Sequence, residues 1–159
     1  MSKHIYAPWR AEYILGPKEK ECIFCRMAGE DKDRENFIVH RAEHCFVVMN
    51  RYPYTTGHLM IVPYRHQSDL EALSVAEMGE LMALAQKVIA GQKRESSPQG
   101  FNVGFNLGRP AGAGIEEHLH LHVVPRWEGD SSFVAVIDDT RVLSLPLGDV
   151  YESLKRCFE

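Results

Sequence analysis

The chain has 159 residues, enough for one domain with a sizeable core, and its 18 Lys+Arg against 22 Asp+Glu leave a formal charge of -4. That balance excludes the strongly basic footprint of a nucleic-acid-binding protein, and no apolar run approaches the ~20 residues of a membrane span. Met1-Ser2-Lys3-His4-Ile5-Tyr6 lacks the apolar core of a signal peptide, so a cytoplasmic protein is expected, with Cys22, Cys25, Cys45 and Cys157 as thiols or metal ligands rather than disulfides.

Residues 1–20 carry Pro8, Trp9, Gly16 and Pro17 and read as an irregular arm whose aromatics pack on the core or on a second subunit. Cys22-Ile23-Phe24-Cys25 follows, between that loop and the charged stretch Glu30–Glu35. A single C-x-x-C is half of a structural zinc site, and its missing ligands would have to be histidines, of which the chain has eight. Plain reduced thiols and a redox pair are the competing readings.

Phe37–His40 and Cys45–Asn50 read as two strands of a hairpin, and His58–Pro63 as a third strand ended by its proline. The period then changes. Ser74-Val75-Ala76-Glu77 is a capping box, and Met78, Leu81, Met82, Ala85, Val88 and Ile89 recur at helical spacing, predicting a helix of about five turns that ends near Gly91. Phe101–Leu107 is a fourth strand with Gly104 inside it. It runs into Gly108-Arg109-Pro110-Ala111-Gly112-Ala113-Gly114-Ile115, whose glycines allow backbone amides to approach an anion. The order strand–loop–strand matches neither nucleotide fingerprint of the strand–loop–helix type, and no organic cofactor is expected.

Next comes His118-Leu119-His120-Leu121-His122-Val123-Val124-Pro125. In a strand, alternate residues share a face. The three imidazoles would then line one face about 6.6 Å apart, with Leu119, Leu121 and Val123 anchoring the other. A single strand histidine is usually packed or hydrogen-bonded structure; three in register each need a polar partner. They point instead to metal ligation or to covalent and acid–base catalysis. A glycine-rich amide cradle before them suits phosphoryl or nucleotidyl chemistry, with the central His120 as nucleophile. Phe133–Ile137 reads as an edge strand and Asp149–Arg156 as a closing helix. The whole reads as one α+β domain with an antiparallel sheet.

His118-x-His120-x-His122 resembles the signature of the histidine-triad (HIT) family. The resemblance extends through Cys22-x-x-Cys25, Gly57–Pro63, the long helix, Phe105-Asn106-Leu107-Gly108 and Pro125-Arg126. Ala7-Pro8-Trp9-Arg10 and Val124–Asp130 further resemble a bacterial branch associated with diadenosine tetraphosphate phosphorolysis. The resemblance implies a single domain over 1–159, with an arm at 1–20 and an extension at 127–159. Its fold would be a five-stranded antiparallel sheet with two main helices, pairing into a homodimer with a ten-stranded sheet. It implies cleavage of a purine nucleoside phosphate or dinucleoside polyphosphate at the α-phosphorus through a nucleotidyl-His120. His122 would contact the phosphate or leaving group, and Asn50 the ribose. Phe46 and Val48 would border the base, and His58, Asn106, Gly112, Gly114 and Ile115 would complete the substrate site. A structural zinc would sit on Cys22, Cys25, His66 and His118. One departure stands out: many members place Gln-Ser before the triad, where this chain has Glu116-Glu117. A non-catalytic nucleotide- or zinc-binding module, and a zinc hydrolase with its metal on the triad, are the competing functions.

Overall fold

In the computed structural model, residues 21–130, 143 and 145–159 are described. The expected arm at 1–20 and edge strand at 133–137 lie outside them. Five strands, β1 (Ile38–Arg41), β2 (Cys45–Met49), β3 (Leu59–Pro63), β4 (Gly100–Phe105) and β5 (Leu121–Arg126), form one sheet in the order β1-β2-β3-β5-β4. Every neighbouring pair is antiparallel. The helices are α1 (Ile23–Gly29), the single turn α2 (Asp33–Asn36), the long α3 (Val75–Ser96) and α4 (Leu147–Lys155).

Period-two alternation divides the sheet into two chemically different faces. Val47, Ile61, Leu121 and Val123 pack against Leu81, Leu84, Ala85 and Val88 of α3 and Val150 and Leu154 of α4. Phe46, Val48, Met60 and Val62 point the other way and are covered by Phe24 and Met27 of α1. Burying Phe24 and Met27 contributes about 1.5–3 kcal/mol each, which is what holds so short a helix on the sheet. Register places His122 opposite Met60 and Gly104, on the α1 face. Arg41 secures the far end of α1: its guanidinium donates to the carbonyls of Met27, Ala28 and Glu30 and to the carboxylate of Asp33.

The capping box is present, with Glu77 N–H donating to Ser74 Oγ and Ser74 N–H to Glu77 Oε2. Arg65 also grips Glu77, and these donors hold its carboxyl well below the usual range, at about 2. The helix does not stop at Gly91. It continues to Ser96 and ends on Ser97 in the left-handed region at φ 49°. Gly91 serves a close approach instead: a Cβ there would lie 2.3 Å from Cys157 Cβ. The cysteine pair opens helix α1, with Cys22 at the N-cap. His118 and His120 precede β5 rather than belonging to it, in a segment tied to the β3 side where Leu119 N–H donates to Gln67 O at 2.6 Å.

Candidate active site and metal centre

The His118 and His120 rings both lie against Phe24 and the His120 and His122 rings are 4.7 Å apart, so the three imidazoles are gathered together although only His122 belongs to β5; their hydrogen-bond partners assign the protons. His120 Nδ1–H donates to the carbonyl of His118 at 2.8 Å. That leaves a lone pair on His120 Nε2, with no hydrogen-bond partner for it among the described residues, the form a nucleophile needs. His118 Nε2–H donates to the carbonyl of Pro63 at 2.9 Å, which leaves its Nδ1 as an acceptor.

His122 is oriented from further away. Tyr54 N–H, which only donates, meets His58 Nδ1 at 3.1 Å. His58 therefore carries its proton on Nε2 and donates to His122 Nδ1 at 2.9 Å. His122 in turn presents Nε2–H, 3.4 Å from the Asn106 amide. The Asn106 amide nitrogen is the atom that faces it, a second N–H donor beside the first. Burial pulls the pKa of His118, His120 and His122 below the ordinary imidazole value, His122 to about 4 with the neighbouring His120 adding to the effect. All three imidazoles are thus neutral near pH 7.

Burial at this site is contributed by Phe24, whose ring lies 5.4 Å from that of His118 and 5.2 Å from that of His120. Sequence reasoning missed Phe24; its signal was its place inside the C-x-x-C motif. The motif reaches the triad through its cysteines as well. Cys22 Sγ lies 3.3 Å from His118 Nδ1, and Cys25 Sγ lies 3.3 Å from His66 Nδ1 and 3.5 Å from His118 Nδ1. The four donor atoms fall within 4.8 Å of one another. Burial, then the adjacent Cys22, raises the Cys25 thiol pKa. Two thiols and two imidazoles, one with its lone pair aimed inward by Pro63, suit a tetrahedral zinc. Of the triad, His118 alone joins this cluster, and His120 and His122 stay outside it.

Beside His122 lies a cavity of about 420 Å³. Its walls include Asn106, Gly104, Asn102, Val124, Tyr54 and Arg126. His120 is not in its wall, but the His120 and His122 ring centroids are 4.7 Å apart. Other expected residues are placed differently. Phe46 and Val48, expected beside a base, are 0% and 1% exposed under α1 and support that face from beneath. Asn50 is drawn into its own loop, accepting from Tyr52 N–H and meeting His58 Nδ1 at 3.3 Å. The glycine loop makes a turn at Arg109–Ala111 in which the amides of Ala111, Gly112 and Ala113 donate to the carbonyls of Gly108 and Arg109. The amides of Ala111, Gly112 and Ala113 are therefore taken up within the loop itself.

A cysteine–histidine cluster abutting three aligned imidazoles on an antiparallel α+β sheet defines a histidine-triad protein. The HIT domain matches residues 31–129, and the chain belongs to that family. It is 50% identical over 117 residues to a Mycobacterium tuberculosis protein named AP-4-A phosphorylase, covering 74% of this chain and 60% of that one. The chain thus spans about three fifths of that relative's length. An uncharacterised HIT-like protein of Methanocaldococcus jannaschii is 27% identical over 134 residues, 84% of this chain and 98% of its own. Among solved structures, a zinc-bound histidine triad family protein from Mycobacterium smegmatis shares the fold. Its TM-score is 0.70 at 24% identity, over 86% of this chain and 92% of its own. A hypothetical histidine triad nucleotide-binding protein from Sulfolobus tokodaii superposes with TM-score 0.65 at 26% identity, over 86% and 88%.

Proposed function

We propose that the chain is a nucleotidyl-transferring enzyme that cleaves dinucleoside polyphosphates at the α-phosphorus through a nucleotidyl-His120, with inorganic phosphate as acceptor. The observation that carries this reading is the proton assignment: His120 Nε2 holds a lone pair beside a His122 that presents Nε2–H. His120 Nε2 attacks the α-phosphorus, a phosphorus–nitrogen bond forms, and the bond to the bridging oxygen breaks. The His122 N–H and the Asn106 NH₂ stabilise charge on the phosphate oxygens, helped by the Gly114 and Ile115 amides. A departing nucleoside polyphosphate is already a stable anion, so a neutral N–H donor suffices. Phosphate oxygen then attacks the same phosphorus and releases His120. With diadenosine tetraphosphate the sum is ADP plus ATP.

The 50% identity to a protein named AP-4-A phosphorylase supports this choice of substrate. The Cys22, Cys25, His66 and His118 donor set would hold a structural zinc, which supplies rigidity by fixing His118 and, through its carbonyl, His120. A catalytic metal shared by the triad has no support in the placement of His120 and His122. The outer edge of β4, with Val103 at 42% exposure, supports pairing into a homodimer, measured by sedimentation; a monomeric mass would refute that part. The functional test is incubation with diadenosine tetraphosphate with and without inorganic phosphate. ADP and ATP formed only with phosphate is the expected result; AMP formed regardless of phosphate would make water the acceptor and overturn phosphorolysis.

A further inference from the structure

The cavity beside His122 extends along β5 away from His120, toward Arg126. From His122 to Arg126 the strand runs four residues, or about 14 Å, on the face that carries the triad. At the near end, His122 and Asn106 offer N–H donors. At the far end, charge is cancelled: the Arg126 guanidinium is bidentate on Asp130, which also accepts from Trp127 N–H. Arg126 further donates to Asn102 Oδ1 at 2.8 Å, a contact that leaves the Asn102 NH₂ unused. The side is closed by Tyr54, whose ring stacks 5.7 Å from that of His122 at 26°. A single phosphate would use the near end and leave the rest empty, and a far end whose Arg126 cation is paired with Asp130 offers a second phosphate no net positive charge. An aromatic wall, an apolar floor at Val124 and neutral polar groups fit a base and sugar. A volume of about 420 Å³ lies in the range of small-molecule sites.

Resting on the functional reading above, we infer that this cavity is the subsite for the leaving half of the substrate, a nucleoside whose phosphate chain starts at His122 and whose base lies against Tyr54. The second nucleoside, and not the bond alone, is then recognised. Gly104, opposite His122 in the sheet, is the position that tests it. A Cβ there meets nothing within 4 Å, and Val suits a strand better than Gly, so Gly104→Val folds while narrowing the cavity. Tyr54→Leu removes the aromatic wall.

The experiment compares kcat/KM of the full chain and both variants on diadenosine tetraphosphate with phosphate, and on adenosine 5′-phosphoramidate, whose leaving group is ammonia. The expected result is a loss at least tenfold larger for the dinucleotide than for the phosphoramidate in each variant. Equal losses on both substrates, or none, would overturn the subsite. So would a raised KM for phosphate with the dinucleotide unaffected, which would make the cavity the acceptor's. An unaltered chain that turns over the phosphoramidate but not the dinucleotide sinks the subsite and spares the nucleotidyl chemistry. Turnover of neither sinks the functional reading and this one with it.

Discussion

His58 sits 64 residues from His122 and is 0% exposed, yet its proton sets what His122 can do. The two functions of its ring separate by substitution. In His58→Asn, the side-chain amide reaches only the Nδ1 position; it keeps an acceptor for Tyr54 N–H but gives nothing to His122. In His58→Gln, the amide reaches the Nε2 position and restores the donor to His122 Nδ1, while the acceptor for the loop is lost. Leaving the buried His122 Nδ1 unpaired costs about 1–3 kcal/mol in stability. Loss of the hydrogen bond that selects the Nε2–H tautomer withdraws about 1–2 kcal/mol from the transition state, which is about five- to thirtyfold in kcat/KM. Nitrogen-15 spectra of the ring read the tautomer without any substrate. The unaltered protein is expected to show His122 protonated on Nε2, His58→Asn to show a mixture, and His58→Gln to return to Nε2. Steady-state kinetics on diadenosine tetraphosphate should follow the same order, with kcat rather than KM changing. An Nδ1-protonated His122 in the unaltered protein, or a His58→Asn variant with native kinetics, would refute the relay.

Other consequences follow from the same geometry. The folded pKa of His122, about 4, lies below its unfolded value near 6.5, so between those values the unfolded chain takes up the proton first. Stability supplied by the neutral ring is complete above pH 6.5 and drains away as pH falls toward 4, by about 3 kcal/mol in all. Denaturant midpoints measured from pH 7 to 4.5 should show that fall, and His122→Phe should flatten it; an unchanged slope in the variant would place the effect elsewhere. Gly91→Ala should destabilise by about 1–3 kcal/mol despite a helix-propensity gain of about 1 kcal/mol. Because the clash is with Cys157 Cβ at 2.3 Å and Cα at 2.6 Å, Cys157→Ala should not rescue it; rescue would show that Sγ alone was responsible. Metal analysis should find roughly one zinc per chain, removed by His66→Ala or Cys25→Ser, with a chelator lowering Tm of the unaltered chain. Full zinc retention in both variants would place the metal elsewhere.

Residues close in sequence made much of this legible. The alternating pattern marked the three histidines as one group, although only His122 lies in the strand that a period of two assumes. The capping box Ser74–Glu77 and the apolar spacing of α3 were likewise readable, since both are interactions within one or two turns. Two of the four donors of the zinc cluster, His66 and His118, lie far in the chain from the cysteines. Spacing could identify Cys22 and Cys25 as half a site, and resemblance named His66 and His118, but only folding brings His118 Nδ1 within 3.3 Å of Cys22 Sγ.

Tertiary structure decided the rest, for one physical reason: proton positions and close approaches belong to pairs of groups, and the pairs here are distant in sequence. His122 owes its tautomer to His58, His118 its inward lone pair to the carbonyl of Pro63, and both buried rings their low pKa to packing that includes Phe24 on His118. Gly91 looked like a helix terminator and is a contact surface for Cys157, a partner no local pattern contains. Phe46 and Val48 alternate correctly in the sequence, yet which face α1 covers was decided by the fold. The amino-acid order supplied the reactive groups; their protonation, orientation and enclosure came from what the sheet and helices brought against them.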